Sequence, residues 1–179
     1  MKILAICGSL RKESFNKGAL RAAIEVAPKG VKIETAEIGN LPLFNQDFEK
    51  NPPEIVVEFK KKIGSADAIL FVTPEYNYSI SGVLKNAIDW ASRPYGDSAW
   101  EGKPAAIMGV SSGTKGTVRA QLQLRQMFIF LNIYALNKPE LMIDATGKFD
   151  PDGNLTDEET KERISELLKA LAAWTQKLS

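Results

Sequence analysis

The sequence predicts an α/β fold in which a five-stranded parallel sheet carries helices on both faces. Three observations lead there. Short apolar runs alternate with segments of helical period along the whole chain. The run Ala68-Ile69-Leu70-Phe71-Val72 is apolar throughout, as a strand buried on both faces must be. The segments after the first, third and fourth runs are unusual in composition, and an open parallel sheet binds its ligands at such loops.

Residues 3–7 form the first strand, followed by a polar loop from Gly8 to Phe15. Asn16 is placed to cap a helix that sets Leu20, Ala23, Ile24 and Ala27 on one face, and Pro28-Lys29-Gly30 ends it. Residues 31–38 alternate and give the second strand. An irregular connection, 41–51, leads to Pro52-Pro53, which opens a helix with Ile55, Val56, Phe59 and Ile63 inward and Gly64 at its end. The third strand, 68–72, breaks at Thr73-Pro74, and a helix runs over 81–91. Residues 92–103 are a loop. Residues 104–110 are the fourth strand, followed by a glycine-rich turn over 111–116 and a helix reaching 131. Residues 134–143 supply the fifth strand, with Pro139 marking it as an edge or interrupted strand. After the turn Pro151-Asp152-Gly153-Asn154, the stretch Thr156-Asp157-Glu158-Glu159 reads as a capping box. The last helix lines up Ile164, Leu167, Leu168, Leu171, Trp174 and Leu178. No repeat or linker interrupts this order, so residues 1–179 are expected to form a single domain.

Composition narrows the function. The net charge is +1 and the longest basic run is Lys60-Lys61-Lys62, a solvated helix face, so no nucleic-acid partner is expected. The chain has no histidine, which removes Ser-His-Asp and Cys-His catalysis and imidazole metal sites; no metal is expected. Cys7 is the single cysteine and ends an apolar run, which makes it a core thiol and points to a reducing, cytoplasmic setting. No segment approaches the length of a membrane span, and no membrane partner is expected.

The loops carry the chemistry. The first offers the hydroxyls of Ser9 and Ser14, the fixed charge of Arg11 and the free N–H groups of a helix start, the donors a phosphate requires. It lacks the GK[ST] ending of a P-loop and the later glycines of GxGxxG, which argues against an ATPase and a dinucleotide Rossmann site. On composition alone a polar strand-to-helix turn is an equal reading. The third loop, Thr73-Pro74-Glu75-Tyr76-Asn77-Tyr78-Ser79, holds aromatic and amide groups able to frame a flat ring. The fourth, 111–116, lets a ligand approach backbone closely.

Together these segments resemble the NADPH-dependent FMN reductase family, which includes chromate- and quinone-reducing flavoproteins. The matching stretches are Gly8-Ser9-Leu10-Arg11-Lys12-Glu13-Ser14-Phe15-Asn16, Leu41-Pro42-Leu43-Phe44-Asn45, and Thr73-Pro74-Glu75-Tyr76-Asn77 continuing through Ser81-Gly82-Val83-Leu84-Lys85-Asn86-Ala87-Ile88-Asp89-Trp90. Ser112-Gly113 with Gly116 and Arg119 is a fourth match. Thr117 departs from the pattern, since such proteins often carry a second glycine there.

The resemblance implies a flavodoxin-like three-layer sandwich that binds FMN. Ser9, Arg11, Ser14 and Asn16 would hold the phosphate, with Phe15 beside it. Pro74, Glu75, Tyr76 and Asn77 would lie along the isoalloxazine and ribityl chain, and Ser111 and Gly113 would close the other edge. It also implies ping-pong hydride transfer from NADPH or NADH through FMN to quinones, flavins, azo compounds or metal oxyanions, with no catalytic side chain named. The resemblance further implies a homodimer or homotetramer. The sequence supports that independently, because Met127, Phe128, Ile129, Phe130, Leu131 and Ile133 put apolar groups on every face of one helix end. The alternative is a flavodoxin-type electron carrier without direct NAD(P)H oxidation. A phosphoacceptor module on the same fold is disfavoured, because the first and third strands end in Cys7 and Val72 with no aspartate in the loops that follow.

Overall fold

The structure, a computed structural model, describes residues 1–178. The strands are β1 (Lys2–Cys7), β2 (Lys32–Ala36), β3 (Ala68–Val72), β4 (Pro104–Ser111), β5 (Tyr134–Ala135) and β6 (Leu141–Asp144). The helices are α1 (Phe15–Glu25), α2 (Glu54–Gly64), α3 (Gly82–Ala91), α4 (Val118–Leu131) and α5 (Glu158–Leu178). The sheet runs β2-β1-β3-β4-β5, with β6 also on β4, and every pairing is parallel. That order is the flavodoxin-like one, with its switch point between β1 and β3.

The expected fifth strand is two strands in one sheet position. Tyr134 and Ala135 pair with Pro104 and Ala105, and Leu141 to Asp144 pair with Met108 to Ser111. Pro139, which has no N–H for a ladder, stands in the gap between them. Alternation within the strands builds two cores. Ile3, Ala5, Leu70 and Met108 face α1 and α5, whereas Leu4, Ile6, Phe71 and Ile107 face α2, α3 and α4. Three small residues of α1, Ala19, Ala22 and Ala23, let that helix lie close to the sheet. On the other face Phe71 packs between Trp100 and Phe128, at centroid distances of 5.7 and 5.1 Å. No helix among the described residues is long and apolar enough to cross a membrane.

Several local expectations shift. Ile24 and Ile55 sit on the exposed sides of their helices. Trp174 is half-buried and Leu178 exposed, so Thr175 carries the last inward turn of α5. The cap of α5 is Asp157 rather than Thr156: its carboxylate accepts the Thr160 N–H at 2.9 Å. The same carboxylate accepts the Thr160 hydroxyl, and that bond together with the backbone one holds the Asp157 carboxyl below its usual range. Asn16 does not cap α1. Ser14 occupies the N-cap position, and Asn16 lies inside the helix, buried beneath it. Its Nδ2 donates to the Val110 carbonyl at 2.8 Å and its Oδ1 accepts the Val110 N–H at 2.9 Å. Asn16 thus completes β4 beyond the point where β3, whose last paired residue is opposite Met108, leaves the sheet.

Substituting Asn16→Ala strands both backbone groups of Val110 in a buried position. Urea unfolding is expected to show a loss of about 2–4 kcal/mol, the cost of two unsatisfied buried groups. A loss no larger than that of an exposed helix substitution refutes this role.

Candidate functional site

Three loops meet at the carboxyl ends of β1, β3 and β4, where an open α/β sheet offers a crevice. The first begins at Gly8, whose N–H bonds the Val72 carbonyl at 2.9 Å. Ser9 and Ser14 are buried. Ser14 precedes α1 in extended conformation but its side chain makes no capping bond. The first-turn N–H groups of α1, which have no partner within the helix, are left for another acceptor. Arg11 is exposed; its guanidinium lies 5.1 Å from the centre of the Phe15 ring, which itself packs on Phe149. No carboxylate pairs with Arg11 among the described residues.

The second loop turns at Pro74 and reaches Tyr76, whose hydroxyl lies 3.5 Å from Ser9 Oγ, a contact rather than a firm hydrogen bond. The third follows β4. Ser111 folds it, donating to the Gly116 carbonyl at 2.7 Å and accepting the Gly113 N–H at 3.2 Å. Gly109 sets the spacing beneath the second and third loops. A Cβ on it would fall 2.3 Å from the Thr73 carbonyl and 2.1 Å from Thr117 Oγ1, so the strand must be bare there. Thr117, the departure from the family pattern, fills that space: it is fully buried, and Gln121 Nε2 donates to its hydroxyl at 3.1 Å.

These loops enclose a cleft of about 300 Å³. Among the residues singled out from the sequence, Ser9, Arg11, Ser14, Phe15, Asn16, Pro74, Glu75, Tyr76 and Ser111 line it. Asn77 and Gly113 do not; Asn77 sits at the exposed tip of its loop and Gly113 in the outer turn. Val110 and Ser112 also line the cleft. Both lie in the segment already marked by its glycines, but nothing in their residue type distinguishes them. The Asn16 amide is engaged with Val110 on both sides, and the Glu75 carboxylate is bound to the start of α4. What these two present to the cleft is therefore chiefly backbone.

On the far side of the first loop a second cleft, of about 250 Å³, is lined by Cys7, Leu10, Lys17 and Glu37 among others. Cys7 is half-buried, and burial pushes its thiol above the ordinary range. It is thus a protonated packing group at neutral pH rather than a nucleophile.

Residues 1–148 match the sequence pattern of the NADPH-dependent FMN reductases. The chain belongs to that family. An NAD(P)H-dependent FMN reductase of Pseudomonas aeruginosa is 51% identical over 180 residues, covering 99% of this chain and 97% of the relative. An NAD(P)H:quinone oxidoreductase of Solanum tuberosum is 48% identical, covering 99% and 94%. Among solved structures, FerB, a flavoenzyme NAD(P)H:(acceptor) oxidoreductase from Paracoccus denitrificans, superposes with a TM-score of 0.90 at 37% identity, covering 98% and 97%. The three loops of this FMN reductase family member all fall within the matched residues.

Proposed function

We propose that the protein is an NAD(P)H-dependent FMN oxidoreductase that delivers hydride equivalents to quinones, with the cleft of the three loops as its flavin site. The observation that carries this reading is the anion cradle at α1. An uncapped helix start, the buried Ser9 and Ser14 hydroxyls and an Arg11 without a carboxylate partner converge on one cleft. The FMN phosphate suits that donor set. When bound, FMN supplies the hydride chemistry, accepting from NADPH or NADH and giving to a small-molecule acceptor.

The protein's part is to bind and orient. Ser9, Arg11, Ser14 and the backbone of Phe15 and Asn16 hold the phosphate end. Pro74, Tyr76 and the backbone of Glu75 form one wall along the ring and ribityl chain, and Ser111 with Ser112 forms the other. Asn77 and Gly113 lie outside the cleft and contribute by shaping its loops. No side chain is assigned as nucleophile, acid or base. Quinones head the acceptors, because the potato relative carries that activity in its name. Flavins, azo compounds and metal oxyanions are further candidates from the family resemblance.

Purified protein is expected to bind FMN, to be bleached anaerobically by NADPH or NADH, and to consume the nucleotide steadily when a benzoquinone is added. Bound flavin that neither nucleotide bleaches would identify an electron carrier instead. Arg11→Ala is expected to weaken FMN binding by about 1.5–3 kcal/mol, the scale of a charge-assisted hydrogen bond. Titration of the apoprotein with FMN measures this, and unchanged affinity removes Arg11 from the site.

The same reading includes a cytoplasmic homodimer or homotetramer. Phe128, Leu131 and Ile133 are buried, but Ile129 and Phe130 remain 83% and 78% exposed at the end of α4. The 92–103 loop does not cover them, because its Trp100 is buried against Phe59 and Phe71. Tyr95 and Phe44 line a groove shared with Phe130, and Gln46, Asp89, Ser92 and Arg93 give it a polar rim. A second copy covering this patch is the commonest solution for such a surface. Light scattering at low micromolar concentration should show a dimer or tetramer, and Phe130→Glu should dissociate it without unfolding the subunit. A wild-type monomer that retains FMN refutes the assembly alone.

A further inference from the structure

Among the described residues, the turn after β3 is the one place where consecutive non-glycine residues adopt left-handed backbone. Asn77 and Tyr78 have φ of 51° and 65°. Side chains with a Cβ are disfavoured there, and a bulky residue such as tyrosine more than asparagine. The turn closes through Tyr76 N–H to Ser79 O and Ser79 N–H to Tyr76 O, each 2.9 Å. Those two bonds form any tight turn and do not explain a tyrosine at the strained position.

The compensation comes from α4. One carboxylate oxygen of Glu75 accepts the backbone N–H groups of Arg119 at 2.9 Å and Ala120 at 3.1 Å. The other accepts the Arg119 guanidinium at 3.2 Å. The first turn of α4 has no acidic residue of its own, and Thr117 makes no side-chain cap. Glu75 therefore caps α4 from another loop, 44 residues away from Arg119, with its side chain only 9% exposed. Arg119 in turn lays its guanidinium 3.9 Å from the centre of the Tyr78 ring. Gln123, one turn further on, donates to the Tyr78 carbonyl at 3.0 Å and accepts the Ser79 hydroxyl at 2.6 Å. One face of one helix thus holds Glu75, just before the turn, and Tyr78 and Ser79 within it.

We infer that Glu75 is a positioning residue for the flavin. Its carboxylate locks the 76–79 turn to the start of α4 and so sets the distance between the two loops that wall the cleft. The inference rests on the reading of that cleft as the FMN site. Tyr76, adjacent to Glu75, lines one side, and Ser111, at the end of β4, and Ser112, in the loop leading to α4, line the other. The carboxylate, spent on α4, acts on the cofactor only through these walls.

Three variants test this: Glu75→Ala, Glu75→Gln and Gln123→Ala. Each is read by titration of apoprotein with FMN, by the visible circular dichroism of bound flavin, and by thermal unfolding. Glu75→Ala should weaken FMN binding by about tenfold or more, the equivalent of one charge-assisted contact, and alter the flavin dichroism. Glu75→Gln keeps an acceptor but loses the charge, and should fall between wild type and Glu75→Ala. Gln123→Ala touches no part of the cleft, yet should shift both flavin readouts in the same direction. A lowered melting temperature with FMN affinity and dichroism unchanged in the folded variants marks Glu75 as a stabilising cap only and overturns the inference. If Glu75→Ala does not fold, the other two variants decide by the same criteria. Failure of the wild-type protein to bind FMN overturns the functional reading itself and this inference with it, and is visible before any variant is made.

Discussion

A parallel sheet with strands of unequal length leaves backbone exposed where a short strand stops, and a buried N–H or carbonyl must still find a partner. β3 ends opposite Met108, whereas β4 continues to Ser111. Asn16 resolves this by offering its amide as a substitute for the missing strand, at 2.8 and 2.9 Å from the Val110 backbone. The consequences spread from that pair. It fixes the first turn of α1 directly over the carboxyl end of β4. It leaves Ser14 at the N-cap position without a capping bond, and it defines the width of the cleft between the first and third loops. Because β3 stops early, its following loop is free to turn away and form the remaining wall.

The walls are tuned by two further constraints. Gly109 has no side chain because the Thr73 carbonyl and the Thr117 hydroxyl both press on the place where a Cβ would sit. The threonine that departs from the family pattern is accommodated by that bare strand and by Gln121, whose amide also bonds the Leu141 carbonyl at 2.9 Å. The glycine-rich loop is thus anchored at its downstream end to β6. The loop after β3 is anchored to the same helix through Glu75, Arg119 and Gln123. Both loops depend on the first two turns of α4, so the walls are held relative to each other by one rigid element.

Other charge pairs lie away from this cleft. Glu34 sits between Lys2 and Lys32 at 2.9 and 2.8 Å on the edge strand, where hydrogen bonds from both lysines pull its carboxyl down to about 2. Arg93 binds Glu49 and stacks on Tyr95 at 3.6 Å, which ties down the loop that carries Trp100. These pairs secure edges and connections. At the cleft itself the chain offers hydroxyls, backbone donors and one unpaired guanidinium, the equipment for holding a cofactor that brings its own reactivity.

The sequence by itself determined the layers, the sheet direction and the three loops at its ligand edge. Those features follow from local properties: apolar runs buried on both faces, helical periods, and glycine, proline and serine where the chain must turn. It also determined the family, through motifs that are contiguous in the chain. The tertiary structure alone decided which polar groups are spent and which remain free. Asn16 resembles a helix cap because asparagine favours that position, but its partner Val110 is 94 residues away. Glu75 resembles a ligand-facing acid, but its partners open α4. The last strand divides because β4 presents two separate stretches to pair with and Pro139 interrupts the ladder between them. Such choices depend on the pairing of groups distant in sequence, and a buried polar group is assigned by whatever the fold brings within hydrogen-bond reach.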